Sequence, residues 1–121
     1  MAQQPKQEIR NILTGLVRRT DGDYSDFDSH TAKNYTMEKI PTSINVMDIR
    51  YFLPMVGGDI DGYYKVEKVY FGTKNGKLCL KLNLSSFISL GSSRTPIYRV
   101  KMQPGELITY DLMIELYEQR I

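Results

Sequence analysis

The pair Asn75-Gly76, set between two runs that alternate apolar and polar residues, constrains this chain more than any other feature. A type I′ turn needs positive φ at both central residues, and Asn-Gly meets that need with little penalty, so residues 63–73 and 77–84 are predicted to form a two-residue hairpin. In that register Thr73 faces Leu78, Phe71 faces Leu80 and Val69 faces Leu82. Leu78, Leu80, Leu82 and Leu84 then share one face, which is expected to be core. The opposite face carries Tyr64, Val66, Lys68 and Tyr70 beside Cys79, Lys81 and Asn83. It is half polar and is expected to be partly wet.

The remaining segments are read from periodicity and punctuation. Ile9, Ile12, Leu13, Leu16 and Val17 recur at helical spacing, and Pro5 suits a first turn, so residues 5–19 are expected to be an N-terminal helix. Residues 20–33 have no period and read as an acidic loop, with Tyr24 and Phe27 available to tack it to the body. Within residues 34–121, the β body, a strand is expected near residues 44–52, closed by Pro54 and the Gly57-Gly58-Asp59 cluster. Another is expected over residues 95–103. The last segment, residues 107–117, has two readings. Leu107, Tyr110, Ile114 and Tyr117 have helical spacing, whereas Ile108, Tyr110, Leu112, Ile114 and Leu116 alternate without a miss. The strand is preferred because it gives one clean apolar face. A three-residue turn, Pro104-Gly105-Glu106, would pair Met102 with Ile108 and set Arg99 opposite Asp111. The expected fold is therefore mainly β, with an N-terminal helix and about five strands in a small barrel or sandwich, or α+β if the C-terminal segment is helical.

A chain of 121 residues has room for one modest core, so residues 1–121 are taken as one domain. The polar start and the absence of a long apolar run predict neither signal peptide nor membrane span. A lone cysteine, Cys79, cannot staple the fold, which points to a reducing, cytoplasmic setting.

Catalytic and cofactor motifs are tested one by one and fail. His30 and Cys79 are far apart in sequence, and a small strand side chain with a solvated histidine is the preferred reading. Residues 72–77 superficially follow a phosphate-binding loop but are one residue short, lack the following Ser or Thr, and join two strands. Asp21, Asp23, Asp26 and Asp28 miss the calcium-loop pattern, because the glycine and glutamate positions hold Asp26 and Ala32. A restriction-type nuclease needs an acid two residues before its lysine, where Cys79 precedes Lys81 and Asn75 precedes Lys77. No metal and no cofactor is expected.

Charge is the one functional asymmetry. Net charge is only +2, yet between Lys65 and Lys101 there are eight Lys or Arg against Glu67 alone. Two function classes follow. A non-enzymatic binding or structural module, working through a protein partner, as a homo-oligomer or as a subunit of an assembly, suits the Tyr and Phe content and the segregated charge. The alternative is a small β-barrel binder of single-stranded nucleic acid, in which Tyr64, Lys68, Tyr70, Lys81, Arg99 and Lys101 would supply cations for phosphates and rings for bases.

Overall fold

A computed structural model describes residues 9–57, 59–91, 95–96 and 104–118, the side chains of residues 59, 95 and 96 excepted. The fold is mainly β. Its elements run β1 (Ile12–Val17), α1 (Tyr24–Asp28), β2 (Asn34–Met37), a 3₁₀ turn (Val46–Asp48), β3 (Tyr51–Val56), β4 (Asp59–Ile60), β5 (Gly62–Lys74), β6 (Lys77–Ser89), β7 (Thr95–Pro96), β8 (Leu107–Ile108) and α2 (Tyr110–Glu118). Six strands form one open path, β2-β6-β5-β3-β1-β8, with β4 joined to β3 and β7 to β4. This corrects the expected barrel or sandwich of five strands.

The centre of the sheet is a parallel pair, β1 on β3, with Ile12 opposite Tyr51 through Val17 opposite Val56. Both strands are buried on both sides, as parallel strands are. Leu13 and Phe52 point to a core cluster with Phe27, Tyr35, Tyr64, Leu80, Leu82 and Leu84. Their neighbours Ile12, Tyr51 and Leu53 point the other way, to Ile60, Tyr63, Met113, Leu116 and Tyr117. Here lies the reason why the N-terminal helix predicted over residues 5–19 is a strand instead. A strand covered on two faces has no alternation to display, and two apolar pairs flanking Thr14-Gly15 imitate the helical period. Gly15 also argues locally against a helix. Its bare Cα is required: a Cβ there would lie 2.6 Å from the Phe52 ring. Residues 5–8 lie outside the described residues.

The C-terminal strand is likewise replaced, by α2. The Thr109 hydroxyl accepts a hydrogen bond from the Leu112 N–H at 3.2 Å, the bond of a helix N-cap. Leu, Met, Glu and Tyr then propagate the helix, and Met113, Leu116 and Tyr117 form its buried stripe. Leu112, assigned to the core face by the strand reading, is 40% exposed. Ile108 pairs with Ile12 of β1, and the expected partners Met102 and Arg99 lie outside the described residues.

The loop at residues 20–33 contains the short α1, which drives Phe27 into the first cluster. The strand expected at residues 44–52 is displaced to Tyr51–Val56, with Pro54 inside it, opposite Gly15. The strand expected over residues 95–103 is described only as the two residues of β7.

The hairpin forms as read. Asn75 and Gly76 have φ of 54° and 76°, and Thr73–Leu78, Phe71–Leu80 and Val69–Leu82 are cross-strand pairs. The four leucines do not share one fate, however. Leu80, Leu82 and Leu84 are buried, while Leu78 is 60% exposed because it lies past the end of β2 and beyond the body. Tyr64 also departs from expectation. Register shifts between Tyr64 and Val66 and between Val66 and Lys68 mark bulges, and one added residue changes which parity faces the core. Tyr64 and Val66 therefore look inward with Val69 and Phe71, while Lys68 and Tyr70 look outward.

Candidate functional site

The outer half of the hairpin, from Glu67 to Ser85, projects as an arm. β3 pairs with β5 only at Tyr51–Lys65 and Phe52–Tyr64, and β2 covers β6 only from Leu80 to Asn83. The bonds from the Val66 N–H to the Arg50 carbonyl and from the Leu84 N–H to the Lys33 carbonyl extend those contacts slightly, and toward the tip no other described strand pairs with either one.

On the outward face, Lys68 and Tyr70 stand two residues apart, and Tyr70 pairs with Lys81 across the hairpin. The Lys68 Nζ lies 5.2 Å from the Tyr70 ring centroid, a cation–π contact. Gly72 leaves room for the Lys81 stem, whose Cε would be 2.7 Å from a Cβ there. Lys74 and Lys77 close the turn, and the Lys74 Nζ meets Glu38 Oε2 at 3.2 Å, an exposed pair of little energetic weight. Three of the residues singled out by sequence are thus neighbours. Tyr64 is not among them: it is 1% exposed, packed edge-on against Phe27 and Phe87. Arg99 and Lys101 lie outside the described residues.

The inward face of the arm was not recognised from sequence as surface. Nearer the body it carries Val69, Leu80 and Leu82 into the core. Toward the tip it carries Phe71 and Leu78, 48% and 60% exposed. The arm is therefore basic on one side and apolar on the other.

A second constellation escaped the sequence entirely. His30, expected to be a solvated histidine, takes φ of 63° just after α1 and sets its Nε2 2.6 Å from Asp61 Oδ2. Its ring stacks flat on Phe87, with centroids 4.0 Å apart and planes within 4°. Asp61 is 7% exposed, at the entry to β5. The contact straps the acidic loop to the β4–β5 junction, and its partners lie 31 and 57 residues away, beyond the reach of any local pattern.

A cleft of about 790 Å³ opens between the end of β1, the acidic loop, β2 and the turn at residues 104–106. Arg18, Lys39 and Lys74 face Asp21, Asp23, Glu38 and Glu106 around it, so the charges are mixed with one acid in excess. At its floor the Tyr35 hydroxyl donates to the Leu16 carbonyl at 3.1 Å, and burial holds that phenol well above its ordinary range. Desolvation likewise raises the Asp23 carboxyl, with Asp21 adding to it and Lys74 opposing. Asp21 is spent locally, accepting from the Arg18 N–H at 2.8 Å. Among the described residues, no three His, Cys, Asp or Glu side chains are grouped to hold a metal, and no helix is long and apolar enough to cross a membrane.

No family model, no curated protein and no solved structure matches this chain.

Proposed function

We propose that this chain is a non-enzymatic binding module, acting through a protein partner or as a subunit of a larger assembly, and that the β5–β6 arm is the part it presents. The observation that carries this reading is the placement of Phe71 and Leu78 in water on the face of a strand pair that is core lower down. Burying such a side chain is worth about 1.5–3 kcal/mol, so a partner that covers both gains substantially. The long two-stranded arm also offers main-chain groups and alternating side chains, the elements of strand-based recognition.

A second reading, a single-stranded nucleic-acid binder, is favoured by one observation: Tyr70 lies between Lys68 and Lys81 on the outward face. Against it, Lys68 already lies over that ring, and Tyr64 is packed inside.

The test compares the wild-type chain with the Phe71→Ser/Leu78→Ser variant, using Met47→Ser, at another exposed residue, as control. Mass by light scattering and quantitative crosslinking in the native cells are read for all three. Loss of one defined partner, or of self-association, in the double variant alone supports the arm as the docking surface. An unchanged mass and partner set in the double variant refutes it.

A further inference from the structure

A two-residue I′ turn closes its hairpin on a hydrogen-bonded pair, here Lys74 and Lys77, and from there the pairs alternate. Lys68, Tyr70 and Gly72 accordingly bond across to β6, while Val69, Phe71 and Thr73 turn their N–H and C=O groups to the outer edge of β5. The same alternation turns Leu80 and Leu82 of β6 outward, where they meet Met37 and Tyr35 of β2. On the β5 side the last backbone bond is Val66 N–H to the Arg50 carbonyl, 3.0 Å. Beyond it, on the edge of β5 away from β6, no described residue forms a backbone hydrogen bond with Val69, Phe71 or Thr73. These three residues are a vacant rung set beside an exposed phenylalanine.

We propose that this edge receives an extended acidic segment of a partner protein as an added strand, an inference that rests on reading the arm as the docking surface. Charge complementarity identifies the occupant. An added strand would place alternate side chains beside Phe71 on one face and beside Lys68 and Tyr70 on the other, Lys74 being turned across β6 to Glu38. Lys65, Lys68, Lys74, Lys77 and Lys81 all lie on β5 and β6, where Glu67 is the one acid within the strands and Glu38 offsets Lys74 from outside them. The segment that fits therefore alternates acidic and apolar residues. Lysines on an edge keep unwanted strands away; against an acidic strand the same lysines attract and select. A second copy of this chain is a poor occupant. Antiparallel pairing that sets Phe71 opposite its own copy also sets Lys68 opposite Lys74, and like charges directly opposed are destabilising.

The probe is a labelled peptide of about nine residues alternating glutamate and valine, titrated with the full chain by fluorescence anisotropy. Binding in the range of about 1–100 μM is expected, weakened roughly tenfold by Phe71→Ser and by Lys68→Glu, with unchanged thermal midpoints. The charge-reversed variant is expected to take the matching lysine–valine peptide instead. Backbone N-methylation of the glutamates in one peptide and of the valines in another should abolish binding in one of the two, because only one edge of an added strand faces β5. Equal binding of the parent and both methylated peptides would overturn strand addition. Equal displacement by a single-stranded oligonucleotide would overturn the acidic-peptide assignment in favour of phosphate. If the peptide does not bind at about 1 mM while Phe71→Ser/Leu78→Ser still loses its partner, this inference fails and the docking reading stands. If neither responds, both fail.

Discussion

Phe27 offers the most direct test of how the acidic segment is held. It sits in the short α1, is 1% exposed, and meets Tyr35, Phe52 and Tyr64 edge-on at centroid distances of 5.8, 5.9 and 5.6 Å. Truncation to alanine removes a ring from a site that three other rings wall, and the strands behind them cannot collapse onto the void. The expected loss for Phe27→Ala is about 3–5 kcal/mol. Phe27→Leu keeps most of the volume but forfeits the edge contacts, worth about 0.5–1.5 kcal/mol each and not additive, so a loss of about 1–2 kcal/mol is expected. At an unfolding entropy of about 2.1 cal/mol/K per residue, the alanine variant should melt roughly 12–20 °C lower. Urea titrations followed by far-ultraviolet circular dichroism measure both losses, with the midpoint shifting at constant slope. A loss under about 1 kcal/mol for Phe27→Ala would refute the argument, because it would mean that the acidic segment peels off without opening the core.

Three further outcomes are expected. Leu80→Ala should cost about 2–5 kcal/mol, whereas Leu78→Ala, two residues away on the same face, should stay within about 0.5 kcal/mol; similar losses at both would place the tip inside the core. Burial pushes the Tyr63 and Tyr64 phenols up to about 12, with Tyr110 and Tyr51 adding to the shift at Tyr63. The folded state thus keeps protons that the unfolded state releases near pH 10, so this contribution to stability is complete below pH 10 and is lost as pH rises from about 10 to about 12. Spectrophotometric titration should show at least two tyrosines ionising late and only with unfolding; full ionisation near pH 10 in the folded protein would contradict the burial. Gly62→Ala should destabilise by about 1–3 kcal/mol, because the added methyl lands on the Phe87 ring and 2.5 Å from the Ile88 carbonyl. A neutral effect measured by urea unfolding would show that β5 and β6 can separate there.

The hairpin is written in local chemistry. Asn75-Gly76 accepts two positive φ angles, and alternating neighbours choose the register, so Phe71–Leu80 and Val69–Leu82 could be written down from local chemistry alone. The basic asymmetry of that arm was equally legible, since Lys68, Tyr70 and Lys81 become neighbours through the same register. The mainly-β character followed from the same alternation. Tertiary structure decided the rest, wherever burial on a second face or a long-range contact overrode the local pattern. β1 became a strand because α2 covers one face of it and the aromatic cluster the other, which erased its alternation and left a false helical stripe at Ile9, Ile12, Leu13, Leu16 and Val17. α2 became a helix because Thr109 caps it and because Ile12, Tyr51 and Leu53 needed covering. Bulges on β5 drew Tyr64 out of the basic face and into the core, a change of parity that no residue there announces. His30 found Asp61 and Phe87, and Leu78 lost the cover that Leu80 keeps, because distance along a chain says little about distance across a sheet once six strands lie side by side.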